Sequence, residues 1–479
     1  MTKDMEDKQP TGNKVKIPVE LAHFLRQESY SLLIKGHTGT GKTTLALSIL
    51  RTLNMNKDCL YISTRVSPDQ LFQYHTWMDE FFSQPRKTPD TIPDELENEK
   101  NTHPIFVDGR LDEPVALFER ITNELMDVKA PTIVIDSWDS IGFFMDKEAS
   151  MSNSKVLQTW RERAGAKLIF VTEHPEDRTL DFLTDGIVDL RQKYHNERVI
   201  REIVLSKLRG VRINKPSYMF SVNNGIFHSY DHYHPSEFVD SSHFLQSDNS
   251  AKKDLLRSKS HVTTGYHELD EMFGGGFPTG GMASIELGPH VNAKVAFAFL
   301  GKLIANFIAS ENLLVFQPFE KTGQDIVSRY IKSHGLQNDL IKIITSTAQS
   351  KKSTVPPSES VDNQSDQIQD AIQKIKKKYQ KKMLLTILGP EMVDGFSNES
   401  SKINHESLSF IKSNSDLSIF VSRRLPDNKH THLSEIADIR LLILEIDGTL
   451  CLQSETPWSH LYAIATSPKN HEISLGPIV

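Results

Sequence analysis

Short apolar runs alternate along the chain with longer stretches whose apolar residues recur at helical spacing, and that alternation sets the expected elements. YSLLIK (30–35) reads as a buried strand, and TTLALSILRTL (43–53) repeats apolar positions along one helix face. CLYIS (59–63) is a second strand with a helix start at Ser67-Pro68. An apolar run in APTIVID brings Asp136 to a strand end, and KLIFVT (167–172) supplies another strand before a C-terminal hairpin closing in KLRG. Strands alternating with helices predict an α/β fold with a mostly parallel sheet.

The second half repeats the outline. ASIELGPHVNAKVAFAFL (283–300) has the strand–turn–helix shape of LLIKGHTGTGKTTLALSIL (32–50). The separation that takes Gly36 to Asp136 takes Gly288 to Leu388, inside the apolar MLLTILGPEM. The separation from Gly36 to Asp185 leads to Ala437, one residue out of step with ADIRLLILEI. Two tandem domains are therefore expected, over 15–228 and 261–479, with a polar tail at 1–14 and a linker at 229–260. The linker stretch lacks apolar periodicity, and its His228, His232 and His234 lack metal-ligand spacing. Insertions are expected at 83–104 and 346–367. IQDAIQKIKKKYQKK puts Ile368, Ile372, Ile375 and Tyr379 on one helical face and lysines on the other.

Composition narrows the classes. At roughly 150 residues per domain, 479 residues suggest two or three domains. No run of about 18 apolar residues is present to span a bilayer, and the N-terminal stretch has no apolar signal region. Cys59 and Cys451 are too few and too distant for a disulfide framework, which fits a reducing, cytoplasmic setting. A net charge of -7 argues against nucleic acid as the default partner.

Chemistry concentrates in Gly36-His37-Thr38-Gly39-Thr40-Gly41-Lys42-Thr43, which satisfies G-x-x-x-x-G-K-[ST] between a strand and a helix. The glycines let backbone N–H groups converge on phosphates at a helix N-terminus. Residues 36–44, Thr44 included, are the expected ATP contacts. Lys42 is expected to reach the β- and γ-phosphates, and Thr43 to offer its hydroxyl to Mg²⁺. Asp136 is expected as the second magnesium-side acid, because ligands gather at the carboxyl ends of parallel strands. Asp139 reads equally well as a helix cap.

The strand order, the IDS that follows the apolar strand, TDGIVDLR and KLRG resemble the RecA superfamily and, within it, the KaiC-like ATPases. IPVELAHFLRQESYSLLIKGHTGTGKTTLALSIL with ISTRVSPDQL is similar to the GvpD-type P-loop proteins of archaea, named after a gas-vesicle regulator. The resemblance covers roughly residues 15–228; together with the repeat it gives two tandem RecA-like P-loop domains, the second degenerate. It also implies an ATP-binding regulatory role, and it makes Lys207 and Arg209 of KLRG candidates to reach a neighbouring subunit in a homo-oligomer. The chain departs from the pattern at one place. KaiC-like enzymes carry paired glutamates before the Ser/Thr-Pro, where this chain has Arg65-Val66. Arginine stays protonated and valine has no proton acceptor, so neither is a general base. Arg65 is left as an internal finger or a surface residue, and Glu173, at another strand end, as a substitute water-orienting acid.

In the second loop, counting from Gly288 puts Ala293 at the final glycine, keeps Lys294, and replaces the hydroxyl by Val295. TTGYHELDEMFGGGFPTGG (263–281) resembles the lead-in of KaiC-like domains. Its glycines precede a strand, where a dinucleotide fingerprint follows one. EIDGTL (445–450) reads as an Asp447-Gly448 hairpin turn. Two functions follow from the sequence. One is a nucleotide-dependent switch acting on a protein partner, with slow or absent hydrolysis. The alternative is an active RecA-like ATPase working on DNA.

Overall fold

The computed structural model describes residues 15–55, 59–83, 105–110, 113–125, 130–142, 159, 161–162, 165–238, 256–258, 260–317, 340–343, 357–389, 404–424, 436–467 and 472–479. The expected tail at 1–14 and nearly all of the expected insertion at 83–104 lie outside them. Two units divide the chain, Met1–Asp231 with Pro477–Val479, and His232–Gly476.

Among its described residues the first unit carries nine strands, β1 Tyr30–Gly36, β2 Cys59–Ser63, β3 Ile105–Asp108, β4 Thr132–Asp136, β5 Lys167–Thr172, β6 Gly186–His195, β7 Arg198–Leu208, β8 Ser217–Ser221 and β9 His228–Ser229. Their order in the sheet is β3-β2-β4-β5-β1-β6-β7-β8-β9. Pairing is parallel from β3 through β6 and antiparallel from β6 onward. β1 and β2 are buried along their whole length, as strands covered on both faces must be. On one face Leu32, Ile34 and Val171 pack in one core with Leu21 of α1 (Val19–Phe24) and with Leu45 and Ile49 of α2 (Lys42–Thr52). On the other, Leu33, Ile133 and Phe170 pack with Leu117 and Ile121 of the helix Pro114–Leu125. The antiparallel hairpin β6–β7 turns at Asn196 and Glu197, both with positive φ, the backbone of a two-residue turn that matches strand twist.

In the second unit β10 Leu256–Ser258, β11 His261–Val262 and β12 Phe277–Pro278 form a small sheet. A Cβ at Gly276 would fall 2.1 Å from the Val262 carbonyl oxygen, so this glycine serves close packing within the lead-in. The large sheet comprises β13 Gly281–Leu287, β14 Leu313–Phe316, β15 Ile341–Ile343, β16 Leu384–Leu388, β17 Leu417–Arg423, β18 Ile439–Ile446, β19 Thr449–Thr456, β20 Leu461–Thr466 and β21 Ile473–Ile478. Its order, β15-β14-β16-β17-β13-β18-β19-β20-β21, reproduces that of the first sheet strand for strand. Asp447 and Gly448, both with positive φ, make the expected turn between β18 and β19.

Two expectations change. Part of the stretch assigned to a linker is structured, because Pro235–Phe238 forms a 3-10 turn and Phe238 is buried in the core of the second unit. A single aromatic anchor leaves no periodic signal. The insertion expected to run to 367 gives way earlier to a helix spanning Pro357–Lys378, and Ile368, Ile372 and Ile375 bury against Leu384 and Leu388. Residues 346–356 lie outside the described residues. No helix among the described residues is long and apolar enough to cross a membrane.

Candidate nucleotide site

The loop 37–41 joins the end of β1 to the start of α2 at the carboxyl edge of the parallel strands. Gly39 and Gly41 hold φ of +79° and +99°, and a Cβ at Gly41 would meet Val222 at 2.9 Å. Glycine is required there on both counts. Gly41 occupies the N-cap of α2 without any side-chain cap, so the first helical N–H groups are left open to an anion. Arg201 on β7 donates to the Gly39 carbonyl at 2.8 Å and fixes the loop from the antiparallel side.

Lys42 lies buried, its Nζ donating to the His37 carbonyl at 2.8 Å, which folds the ammonium back over the loop. Burial lowers its pKa, opposed by the charges of Glu173, Asp136 and Asp139. Thr43 Oγ1 donates to Asp136 Oδ2 at 2.7 Å, so the two expected magnesium ligands, 93 positions apart, meet in the fold. Tyr61 donates its hydroxyl to the same oxygen at 2.6 Å. Burial raises the pKa of the Asp136 carboxyl, while the Tyr61 and Thr43 hydrogen bonds and the Lys42 charge pull it back. Burial and the neighbouring Asp136 raise the Tyr61 hydroxyl well above its ordinary value, so it stays a donor.

Sequence reasoning missed Tyr61. It sits on β2 beside β4, in register with Val134, two positions before the Ser63–Asp136 pair. Alternation in CLYIS carried the only hint. Thr64 was missed as well: its N–H donates to the Asp136 carbonyl at 2.8 Å, and its hydroxyl joins the Ser137 backbone.

Glu173 and Arg65, expected separately, form an ion pair, and Thr38 Oγ1 lies 3.4 Å from Glu173 Oε2. Asp139 lies within the first turn of the helix Trp138–Gly142 rather than at its cap. Its carboxylate accepts from Thr172 Oγ1 and from the Glu173 N–H, each at 2.7 Å, and so anchors the end of β5. Lys207 donates to the carbonyls of Asp181 and Thr184, and Arg209 pairs with Asp185 at 3.0 Å. Asp185 also accepts from Ser31 N, Ser31 Oγ and Arg161, a buried junction that explains the acid of TDGIVDLR structurally.

The donor set fits Mg-ATP. Thr43 and Asp136 supply hard oxygen ligands of the kind magnesium takes, next to an open helix N-terminus and a buried lysine.

Comparison with known proteins accords with this geometry. Residues 21–206 match the family model described as GvpD gas vesicle protein, P-loop domain. The chain is similar to GvpD- and KaiC-type P-loop proteins of the RecA superfamily. It is 27% identical to Protein GvpD1 of Halobacterium salinarum (strain ATCC 700922 / JCM 11081 / NRC-1) over 304 residues, 62% of this chain and 55% of that protein. Protein GvpD2 of the same strain is 28% identical over 305 residues, 61% and 59% of the respective chains. The circadian clock oscillator protein KaiC of Thermostichus vulcanus is 26% identical over 274 residues, 54% of this chain and 48% of that protein. The chain thus spans only about half the length of these relatives.

In the second unit of this P-loop protein, strand register replaces counting. β1 pairs Tyr30 with Lys167 and β13 pairs Gly281 with Leu417; both strands run seven residues. The loop 288–292 has the length of 37–41, and the following helix, Ala293–Ala309, opens with Asn292 as N-cap. Counting from Gly288 was therefore one residue out. Asn292 takes the place of Gly41, Ala293 that of Lys42, and Lys294 that of Thr43. Asn292 has an ordinary extended φ of -72°, and its side chain accepts from the Lys294 N–H at 2.8 Å. It caps its own helix where Gly41 leaves the end open. The same registers put Gly389, not Leu388, at the Asp136 position, Phe316 at that of Tyr61, and Arg423 at that of Glu173. Asp185 corresponds to Asp438, since each exchanges main-chain and carboxylate hydrogen bonds with the start of the central strand.

Proposed function

We propose that the chain is a cytoplasmic ATP-responsive regulator in which the first unit binds one Mg-ATP and the second unit binds none. The nucleotide state of the first unit then changes how the protein engages a protein partner. One contrast carries the reading: Lys42, Thr43, Tyr61 and Asp136 converge in the first unit, whereas the matching stations of the second hold Ala293, Lys294, Phe316 and Gly389. Bound Mg-ATP would supply the phosphate charge that distinguishes the states. Lys42, the loop N–H groups, Thr43 and Asp136 would hold it.

Hydrolysis is proposed to be slow, below the roughly 1–10³ s⁻¹ usual for enzymes. Arg65 and Val66 provide no base, and Glu173, the remaining carboxylate, is neutralised by Arg65. The partner is proposed to be a protein, the matched family model being described as a gas vesicle protein and one relative as a circadian clock oscillator protein. Titration calorimetry with Mg-ATP is expected to give one site per chain, removed by Lys42→Ala and little changed by Lys294→Ala. Two equivalent sites would overturn the reading. For the switch, hydrogen exchange is expected to differ between ATP and ADP at residues 63–70 and also within 263–479. Changes confined to the first unit would refute coupling, because a nucleotide that binds both states equally shifts nothing.

A further inference from the structure

We propose that Arg65 and Glu173 form a charge latch that makes this site distinguish a nucleoside triphosphate from a diphosphate, Arg65 leaving Glu173 for the terminal phosphate. The inference rests on the reading of residues 36–43 as an ATP site and assigns that site its selectivity.

The backbone on both sides of the latch is held. Thr64 is tied to Asp136 and Ser137, Ser63 Oγ donates to the Val66 carbonyl at 2.5 Å, and Ser67 closes a capping box with Gln70. Glu173 is fixed through its N–H on Asp139. What remains able to move is the Arg65 side chain, 46% exposed, against a Glu173 side chain 16% exposed. A half-exposed ion pair is weak and readily exchanged for another anion. Glu173 is also placed toward the phosphate loop, with Thr38 Oγ1 3.4 Å from its carboxylate.

The charges around Lys42 make the exchange consequential. Three carboxylates, Glu173, Asp136 and Asp139, and one further cation, Arg65, act on it. An added terminal phosphate is repelled by Glu173 and attracted by Arg65, whose planar guanidinium suits phosphate oxygens. A diphosphate lacks the group that these two residues contest. In the second unit Arg423 stands at the Glu173 position and donates to the Val291 carbonyl of its own loop at 2.8 Å.

The test is equilibrium titration of the full chain with a non-hydrolysable ATP analogue and with ADP, both in Mg²⁺. Arg65→Ala is expected to weaken the analogue roughly tenfold and leave ADP within about twofold. Glu173→Gln is expected to tighten the analogue severalfold, again sparing ADP. Arg65→Lys should recover part of the loss. Nucleotide-free melting curves for each variant establish that it folds. Equal shifts for both nucleotides, or no shift in either variant, would overturn the latch. Unchanged binding of both nucleotides to Lys42→Ala would instead sink the underlying ATP-site reading.

Discussion

Replacing Tyr61 by phenylalanine removes one oxygen from the centre of the site and nothing else. The ring keeps its place, stacked on Phe106 at 5.4 Å between centroids, so no cavity opens. What is lost is the 2.6 Å hydrogen bond to Asp136 Oδ2. A hydrogen bond to a charged acceptor contributes about 1.5–3 kcal/mol. Asp136 retains the Thr43 donor, so a loss of about 2 kcal/mol is expected for the nucleotide-free first unit at neutral pH. The Tyr61 bond favours the ionised carboxylate, and the folded-state pKa of Asp136 is already raised by burial. In Tyr61→Phe that pKa rises further. A carboxyl with a raised folded pKa loses stabilisation as pH climbs through that value. The deficit of the variant is therefore greatest at neutral and alkaline pH and shrinks as pH falls through the raised pKa and Asp136 is protonated in both proteins. Urea unfolding followed by the fluorescence of Trp77 and Trp138, repeated across pH and in an Asp136→Asn background, measures this. The cost should fall below about 0.5 kcal/mol when the charged acceptor is absent. An undiminished cost in that background, or a cost that grows toward acid pH, would refute the reasoning.

Two further expectations concern the scaffold. Asp185→Ala strands the buried Ser31 N–H and removes the partner of the largely buried Arg161 guanidinium, and is expected to destabilise the first unit by about 2 kcal/mol, measured by urea unfolding. Cys59 is buried, with its thiol pushed up to about 12, and Cys451 is likewise buried and raised; neither should react with a soluble disulfide reagent in native protein faster than the protein opens.

The phosphate loop and Asp136 were legible in the sequence because each is local: a glycine pattern at a strand–helix junction, and an acid at the end of an apolar run. The repeat was legible for the same reason. Its alignment was not, because Gly288 invites counting from a visible glycine. The residue that matters is set by where β13 ends and the next helix begins, and Asn292 as N-cap fixes that boundary. Tyr61 escaped notice because its role depends on β2 lying beside β4, a tertiary pairing. Arg65 and Glu173 each drew attention alone, and only folding made them a pair. Phe238 shows the opposite limit, a core residue inside a polar stretch that no periodicity betrays.

Asn292 has a consequence for the history of the second loop. With its own carboxamide on the helix end, the loop is stable without a phosphate, and no single reversion brings the site back. Ala293→Lys would place an ammonium where Gly389 supplies no carboxylate, and Leu388→Asp would put an acid one register position away from where it is needed. Lys294→Thr would restore a hydroxyl with no acid at Gly389 to receive it. On the proposed reading that the second unit binds no nucleotide, each step toward repair is unrewarded until several others are in place, so such a loss works as a ratchet that releases later change in that unit from the demands of nucleotide chemistry.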